Sequence, residues 1–214
     1  LTQYARLKEF LEPNTKKVFW LYYEGNDLDD LSIEIKNKIL FKYFNNSNFS
    51  QNIKSSQLKV DELLRKKIDQ VFFENSLVEK SQSNEVFFKI FKFIKLRSVR
   101  KFVLSKWDKN KFDYDKNLLN FKKILVKARN LSEKNNSVFY FVYIPELQRY
   151  NTIYDYSDYQ NIKKIINNLE INFIDISQDE LFKKNGINLY SKNFGNSHLN
   201  IDGYKRVGQI LAEK

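Results

Sequence analysis

The sequence contains no cysteine and no methionine, only two prolines and five glycines, and a single histidine among its 214 residues. The lack of cysteine excludes disulfides and thiolate metal sites, and it fits a reducing or an oxidising compartment equally well. No run of about 18 apolar residues occurs, so the sequence predicts no membrane-spanning helix. Because translation begins with Met and this chain begins with Leu1, we expect a fragment or processed product that has lost its N-terminus, with any signal peptide or anchor.

What is present is typical of a folded domain. Hydrophobic residues make up 42% of the chain and aromatic residues 16%, which excludes a disordered composition. The length suits one domain with a sizeable core. The formal net charge of +11 is concentrated, because residues 86–130 hold 14 Lys and Arg against three Asp and so carry as much net charge as the whole chain.

Continuous apolar runs rich in β-forming residues predict three buried strands, over residues 18–23, 138–144 and 171–176. Helical spacing predicts helices around them: one closed by Pro13, one capped by Asp27 or Asp29 and running to about Leu40, others over 58–73, 86–104, 118–131 and 162–169, and a last one capped by Asn200. Connections are expected over 45–56, 76–84 and 107–116. The alternation predicts an α/β fold with a parallel sheet, as a single domain over 1–214 with a mostly helical basic insertion at about 45–134.

Three candidate functional residues lie in loops around these strands. Gly25 and Asn26 directly follow the first strand, and His198 lies between the third strand and the last helix. Because loops at the carboxyl ends of parallel strands meet at one edge, we expect the three residues to lie close together. Imidazole can transfer a proton near neutral pH, and an Asn amide can donate to an oxyanion. A plain turn with a helix cap, and a polar surface histidine, remain the alternatives.

The segments around these residues resemble two sequence blocks of the SGNH (GDSL-type) hydrolases. Tyr23-Glu24-Gly25-Asn26-Asp27-Leu28 is similar to the third block, and His198-Leu199-Asn200, followed by Gly203-Tyr204, is similar to the last. The resemblance covers roughly residues 1–30 and 138–214. It implies a flavodoxin-like three-layer α/β/α sandwich, truncated at its N-terminus, whose strands are the last three of a sheet ordered 2-1-3-4-5. It also implies ester hydrolysis, with His198 as base, Asn26 as oxyanion donor and Gly25 beside it.

The sequence departs from the family at two points. Residues 1–16 offer only Thr2 and Thr15 as aliphatic hydroxyls and no Gly-Asp-Ser turn, so the nucleophilic serine is missing and we expect these 214 residues to be inactive. Without the preceding strands, the first strand is expected to be an exposed edge. Gly195 stands where the family has the triad Asp. A backbone carbonyl, Asn196, or a carboxylate elsewhere such as Asp175 are the alternatives for orienting the imidazole.

The resemblance implies no metal or organic cofactor, and a small-molecule, carbohydrate or lipid ester as substrate. It also favours an extracytoplasmic or membrane-anchored location for the full-length protein. A different class of function is a non-catalytic binding or membrane-surface module on the same scaffold, because residues 86–130 interleave aromatic and basic residues that suit an anionic membrane. A plain solvated face is the default interpretation of that segment, nucleic-acid binding is the least favoured, and a degenerate hydrolase remains a further alternative.

Overall fold

Residues 1–80, 113–150, 153–191 and 198–214 are described by the computed structural model of this chain. They belong to two compact units. The first comprises Leu1–Phe49 and Asp113–Lys214, and the second comprises Ser50–Phe112. The helix predicted over 86–104, and with it most of the basic segment, lies outside the described residues.

In the described part of the chain, three parallel strands form one sheet in the order β1-β2-β3. Their bounds are β1 (Lys17–Tyr23), β2 (Val138–Ile144) and β3 (Asn172–Asp175). β1 and β2 pair over their whole length, so that Tyr23 lies opposite Ile144. The predicted α/β class with parallel strands is therefore confirmed. β3 is shorter than predicted because Ile176 already belongs to a 3₁₀ turn, Ile176–Gln178.

Helices precede, separate and follow the strands. In the first unit they are α1 (Thr2–Phe10), α2 (Asp27–Glu34), α3 (Lys38–Asn45), α5 (Tyr114–Lys134), α6 (Ser157–Asn168), α7 (Glu180–Asn185) and α8 (Ile201–Ala212). The second unit contains α4 (Gln57–Lys80). Further 3₁₀ turns span Leu147–Tyr150 and Gly186–Leu189. No helix within the described ranges combines the length and the apolar character needed to cross a bilayer.

The predicted helix from Asp27 or Asp29 to about Leu40 is wrong in its extent, because α2 ends at Glu34 and α3 begins at Lys38. The Asn37 side chain accepts hydrogen bonds from the backbone N–H groups of the second and third residues of α3, at 2.9 and 3.2 Å. This N-cap starts a new helix where the apolar spacing alone predicts a continuous one. Asn26, rather than either aspartate, occupies the N-cap position of α2.

Two predicted connections are also shorter than expected. α4 continues to Lys80, into the region predicted as a connection over 76–84. At the other connection, α5 begins at Tyr114, because the Asp113 carboxylate accepts a hydrogen bond of 3.0 Å from the Lys116 N–H and caps the helix. Residues 107–112 of that predicted turn lie outside the described part.

The two faces of the sheet carry separate hydrophobic clusters among the described residues. One face packs on apolar side chains of α1, α2, α5 and α6, and its sheet members include Trp20, Tyr22, Phe139, Phe141 and Tyr143. The other face packs on α7, α8 and the turns around them, and its sheet members include Phe19, Tyr23, Val142, Ile144 and Ile174. Burial on both faces explains why the strand sequences are continuously apolar rather than alternating.

The outer edge of β1 is partly capped by side chains. The Gln3 amide of α1 donates to the Leu21 carbonyl at 2.8 Å, and the Tyr23 N–H donates to the Asp27 carboxylate at 2.9 Å. The Leu21 side chain nevertheless remains 43% exposed, and a groove of about 340 Å³ lies between α1 and β1. The edge expected from the sequence is therefore present, with its polar backbone groups satisfied in part by neighbouring side chains.

Candidate active site

Gly25 and Asn26 are exposed and lie directly after the carboxyl end of β1. The Glu24 N–H donates to the Ile144 carbonyl at 3.0 Å, which extends the pairing of β1 with β2 up to this loop. The Asn26 amide nitrogen donates to the Asp30 carboxylate at 2.9 Å. An amide nitrogen carries two hydrogens, so this bond orients the amide and uses one of them.

His198 is exposed and lies two residues before the N-cap of α8. Its carbonyl accepts a hydrogen bond of 3.0 Å from the Ser191 N–H, next to an antiparallel bridge between Tyr190 and Leu199. Asn200 caps α8 as predicted, by accepting from the Gly203 N–H at 2.9 Å. These bonds fix the backbone from the His198 carbonyl to the start of α8.

The His198 imidazole packs against the ring of Tyr23, the last residue of β1. The two ring centroids are 5.3 Å apart and the planes are tilted by 40°. The same tyrosine ring lies against Gly25, because a Cβ built there would be 2.7 Å from Tyr23 Cε1. The structure therefore brings His198 and Gly25 to one ring at the carboxyl end of β1, and Asn26 is the next residue along the chain.

A buried ion pair joins this loop to the loop after β2. The side chains of Glu24 and Arg149 are 2% and 7% exposed. Arg149 donates through Nε and Nη2 to the two carboxylate oxygens of Glu24, and the Nε bond measures 2.9 Å. The same carboxylate accepts from the Glu146 N–H at 3.0 Å and from the Tyr143 hydroxyl. Such bidentate, charge-assisted contacts are strong, so the residue preceding Gly25 is firmly held.

Four tyrosine rings surround the Arg149 guanidinium. Its Cζ lies between 4.5 and 5.6 Å from their centroids, which is within the range of cation–π attraction; the rings belong to Tyr143, Tyr154, Tyr156 and Tyr159. We call these rings with Glu24 and Arg149 the tyrosine–arginine cluster. The Tyr159 hydroxyl also donates to Asp175 at 2.7 Å, so the cluster reaches the end of β3.

Burial keeps the phenols of Tyr143 and Tyr159, two members of the cluster, protonated. Burial, and secondarily the Glu24 charge, raise the pKa of Tyr143 far above its ordinary value. Burial and the hydrogen bond to Asp175 raise the pKa of Tyr159 to about 12. At neutral pH both hydroxyls are therefore hydrogen-bond donors to carboxylates, which gives these two tyrosines a supporting role rather than one in proton transfer.

Sequence reasoning did not identify Arg149. The relevant signal is its position: Leu147–Tyr150 follows Pro145 just after β2, and therefore lies at the same edge of the sheet as Gly25. The rule that loops at the carboxyl ends of parallel strands converge, applied to the second strand as well as the first, indicates this loop.

The structure gives Asp175 partners other than the histidine. Its Oδ1 accepts from the Ser177 N–H at 3.0 Å and from the Ser177 hydroxyl at 2.6 Å, and its Oδ2 accepts from Tyr159. These bonds cap the 3₁₀ turn after β3. They give no support to Asp175 as the triad acid. Gly195 and Asn196 lie outside the described residues.

Asp27, next to Asn26, is a half-buried residue whose carboxyl has an altered pKa. Burial, and secondarily the charges of Asp30 and Glu34, raise its pKa to about 6 against the hydrogen bond from the Tyr23 N–H. The fold thus favours the protonated form. The contribution of protonated Asp27 to the free energy of unfolding is complete below the ordinary pKa of 3.8, and it is lost as the pH rises through about 6.

We therefore expect Asp27→Asn to flatten the pH dependence of the free energy of unfolding. The rise of the Asp27 pKa from 3.8 to about 6 corresponds to about 3 kcal/mol of unfolding free energy between about pH 4 and about pH 8. Asparagine removes the titrating group and keeps an acceptor for the Tyr23 N–H. Urea denaturation across this range measures the effect. Asp202→Asn, at an exposed position in the first turn of α8, is the matched control. Parallel stability–pH curves for wild type and Asp27→Asn would contradict the assignment.

Within the described ranges, no group of three or more His, Asp or Glu side chains is placed so that it could hold a metal ion. Comparisons of the chain with protein-family models, with curated proteins and with solved structures gave no match.

Proposed function

We propose that this chain is the C-terminal part of an SGNH-type serine esterase that hydrolyses acyl or acetyl esters, with His198 as base and Asn26 as oxyanion donor. The observation that carries the proposal is the packing of the His198 imidazole on Tyr23, at the carboxyl end of β1 and beside the Gly25–Asn26 loop. This edge is where binding groups gather in parallel α/β sheets. The order β1-β2-β3 suits the last three strands of the flavodoxin-like order 2-1-3-4-5.

The proposed chemistry is acyl transfer in two steps. A serine hydroxyl attacks the ester carbonyl carbon while His198 takes its proton, and the Asn26 amide donates to the oxyanion that forms. The tetrahedral intermediate expels the alcohol, which receives that proton from His198. Water then attacks the acyl-serine with His198 as base. The second tetrahedral intermediate releases the acid, and His198 returns the proton to the serine oxygen. The proposal places the serine upstream of Leu1, and both lipid esters and acetylated carbohydrates fit it as substrates.

The first test is the encoded sequence upstream of Leu1, where we expect a Gly-Asp-Ser-like turn. A protein extended to include that turn should hydrolyse p-nitrophenyl acetate and should be labelled by a fluorophosphonate at the serine. Residues 1–214 alone should do neither above background. An extended protein with no labelled serine, or turnover by residues 1–214 that survives replacement of His198, would overturn the proposal.

The membrane-surface alternative gains no specific support from the described residues. Its segment, residues 86–130, includes the first 17 residues of α5, whose apolar side chains Phe121, Ile124, Leu125 and Ala128 are buried in the core. These side chains are thus unavailable to a lipid surface. The remainder of the segment, 86–112, lies outside the described residues, and the alternative stays a prediction.

A further inference from the structure

We infer that Tyr23 is a positioning residue that holds the His198 imidazole in place, an inference that rests on the proposed function. The centroid distance of 5.3 Å and the tilt of 40° put the two rings in packing contact. Tilted aromatic pairs at this separation attract each other beyond simple burial of area. The Tyr23 ring therefore forms a packing surface for the imidazole.

Tyr23 is itself well anchored. Its N–H donates to the Asp27 carboxylate at 2.9 Å, and the strand places it opposite Ile144 of β2. The following residue, Glu24, is bound by Arg149 inside the tyrosine–arginine cluster. The backbone of Tyr23 is thus fixed on both sides, and its half-buried ring has a defined direction.

The imidazole needs this packing surface to fix its orientation, because His198 lies at an exposed position. In residues 1–80, 113–150, 153–191 and 198–214, no carboxylate accepts a hydrogen bond from it, and Asp175 is bound to Ser177 and Tyr159. A histidine side chain has two rotatable torsions, and a base acts only when both are set. Ring packing from Tyr23 restricts them without a charged partner.

Gly25 enters the site through the same ring. A Cβ at this position would lie 2.7 Å from Tyr23 Cε1 and 3.0 Å from Cζ, so any side chain there would push the ring aside. The Tyr23 ring can therefore occupy its observed position only because residue 25 has no side chain. A substitution at Gly25 should disturb His198 through the tyrosine ring.

The single histidine makes the test direct, because residues 1–214 give one set of imidazole signals in a ¹H–¹³C NMR spectrum. Tyr23→Leu should remove the ring-current displacement and move these signals toward those of an unstructured histidine. Tyr23→Phe keeps the ring and should leave them near their wild-type positions. Gly25→Ala displaces the ring without deleting it and should also move them. Tyr204→Leu, which removes an exposed ring on α8, is the matched control.

Circular dichroism and the urea midpoint of each variant show whether it is folded. If Tyr23→Leu does not fold, the imidazole signals of Gly25→Ala and Tyr23→Phe test the inference, because they should move in the first variant and not in the second. Unmoved imidazole signals in a folded Tyr23→Leu or Gly25→Ala variant, or equal movement in Tyr23→Phe and Tyr23→Leu, would overturn the inference.

The failure of this inference is distinguishable from failure of the proposed function. In the extended protein, Tyr23→Leu should lower kcat more than it changes KM, and Tyr23→Phe should restore kcat. If the imidazole signals move in Tyr23→Leu and Gly25→Ala but the extended protein has no esterase activity, the contact between Tyr23 and His198 is supported and the proposed function is wrong. Esterase activity that needs His198 but does not change on replacement of Tyr23, together with unmoved imidazole signals, would support the proposed function and overturn the positioning role of Tyr23.

Discussion

Replacement of His198 by asparagine in the extended protein should lower kcat and kcat/KM for p-nitrophenyl acetate together, by about 10²- to 10⁴-fold. The imidazole is needed only where the serine proton moves, so it stabilises the transition state and not the bound substrate. With a single histidine in the sequence, no second imidazole in these 214 residues can replace it. The measurement is steady-state kinetics, with circular dichroism to show that the exposed substitution leaves the fold intact.

The Asn26 amide provides the companion measurement. Asn26→Ala removes one oxyanion donor and should cost about 10²- to 10³-fold in kcat. Asn37→Ala is its matched control, because Asn37 also precedes a helix but caps α3 and plays no part in the proposed site. Full activity in either the His198 or the Asn26 variant would show that the chemistry is assigned to the wrong groups.

The strands were predictable because a sheet covered on both faces requires an unbroken apolar run. β1 differs from its predicted extent by one residue, and β2 has the predicted bounds. The break between α2 and α3 was not predictable in the same way. The apolar residues Leu31, Ile35 and Ile39 continue an i, i+4 helical spacing across it, while the interruption depends on the side chain of Asn37, an ordinary polar residue by composition.

The position of the candidate site could be predicted, and its supporting contacts could not. The rule for parallel sheets predicts Gly25 and Asn26 at the carboxyl edge. No rule pairs Glu24 with a residue 125 positions later, and the chain offers 37 Lys and Arg as partners. Tyr23 likewise belongs to an apolar strand run, so nothing in its local sequence distinguishes a core side chain from one that packs on the histidine.

The tyrosine–arginine cluster leads to the largest stability prediction. Arg149→Met removes the cation and leaves the Glu24 carboxylate, 2% exposed, without its countercharge. An unpaired buried charge costs far more than the pair itself contributes, so the free energy of unfolding should fall by about 3–5 kcal/mol. The free energy of unfolding falls because the Glu24 carboxylate is left buried and unpaired. Urea denaturation of residues 1–214 measures this loss.

The double variant Glu24→Gln/Arg149→Met separates this cause from a simple loss of packing. Glutamine keeps an acceptor for the Glu146 N–H but carries no charge, so the double variant should regain much of the lost stability. Lys184→Met is the matched control, because its ion pair with Glu180 is exposed and should matter by no more than about 0.5 kcal/mol. A double variant less stable than Arg149→Met alone would mean that the tyrosine rings depend on the guanidinium itself, rather than on the neutralisation of Glu24.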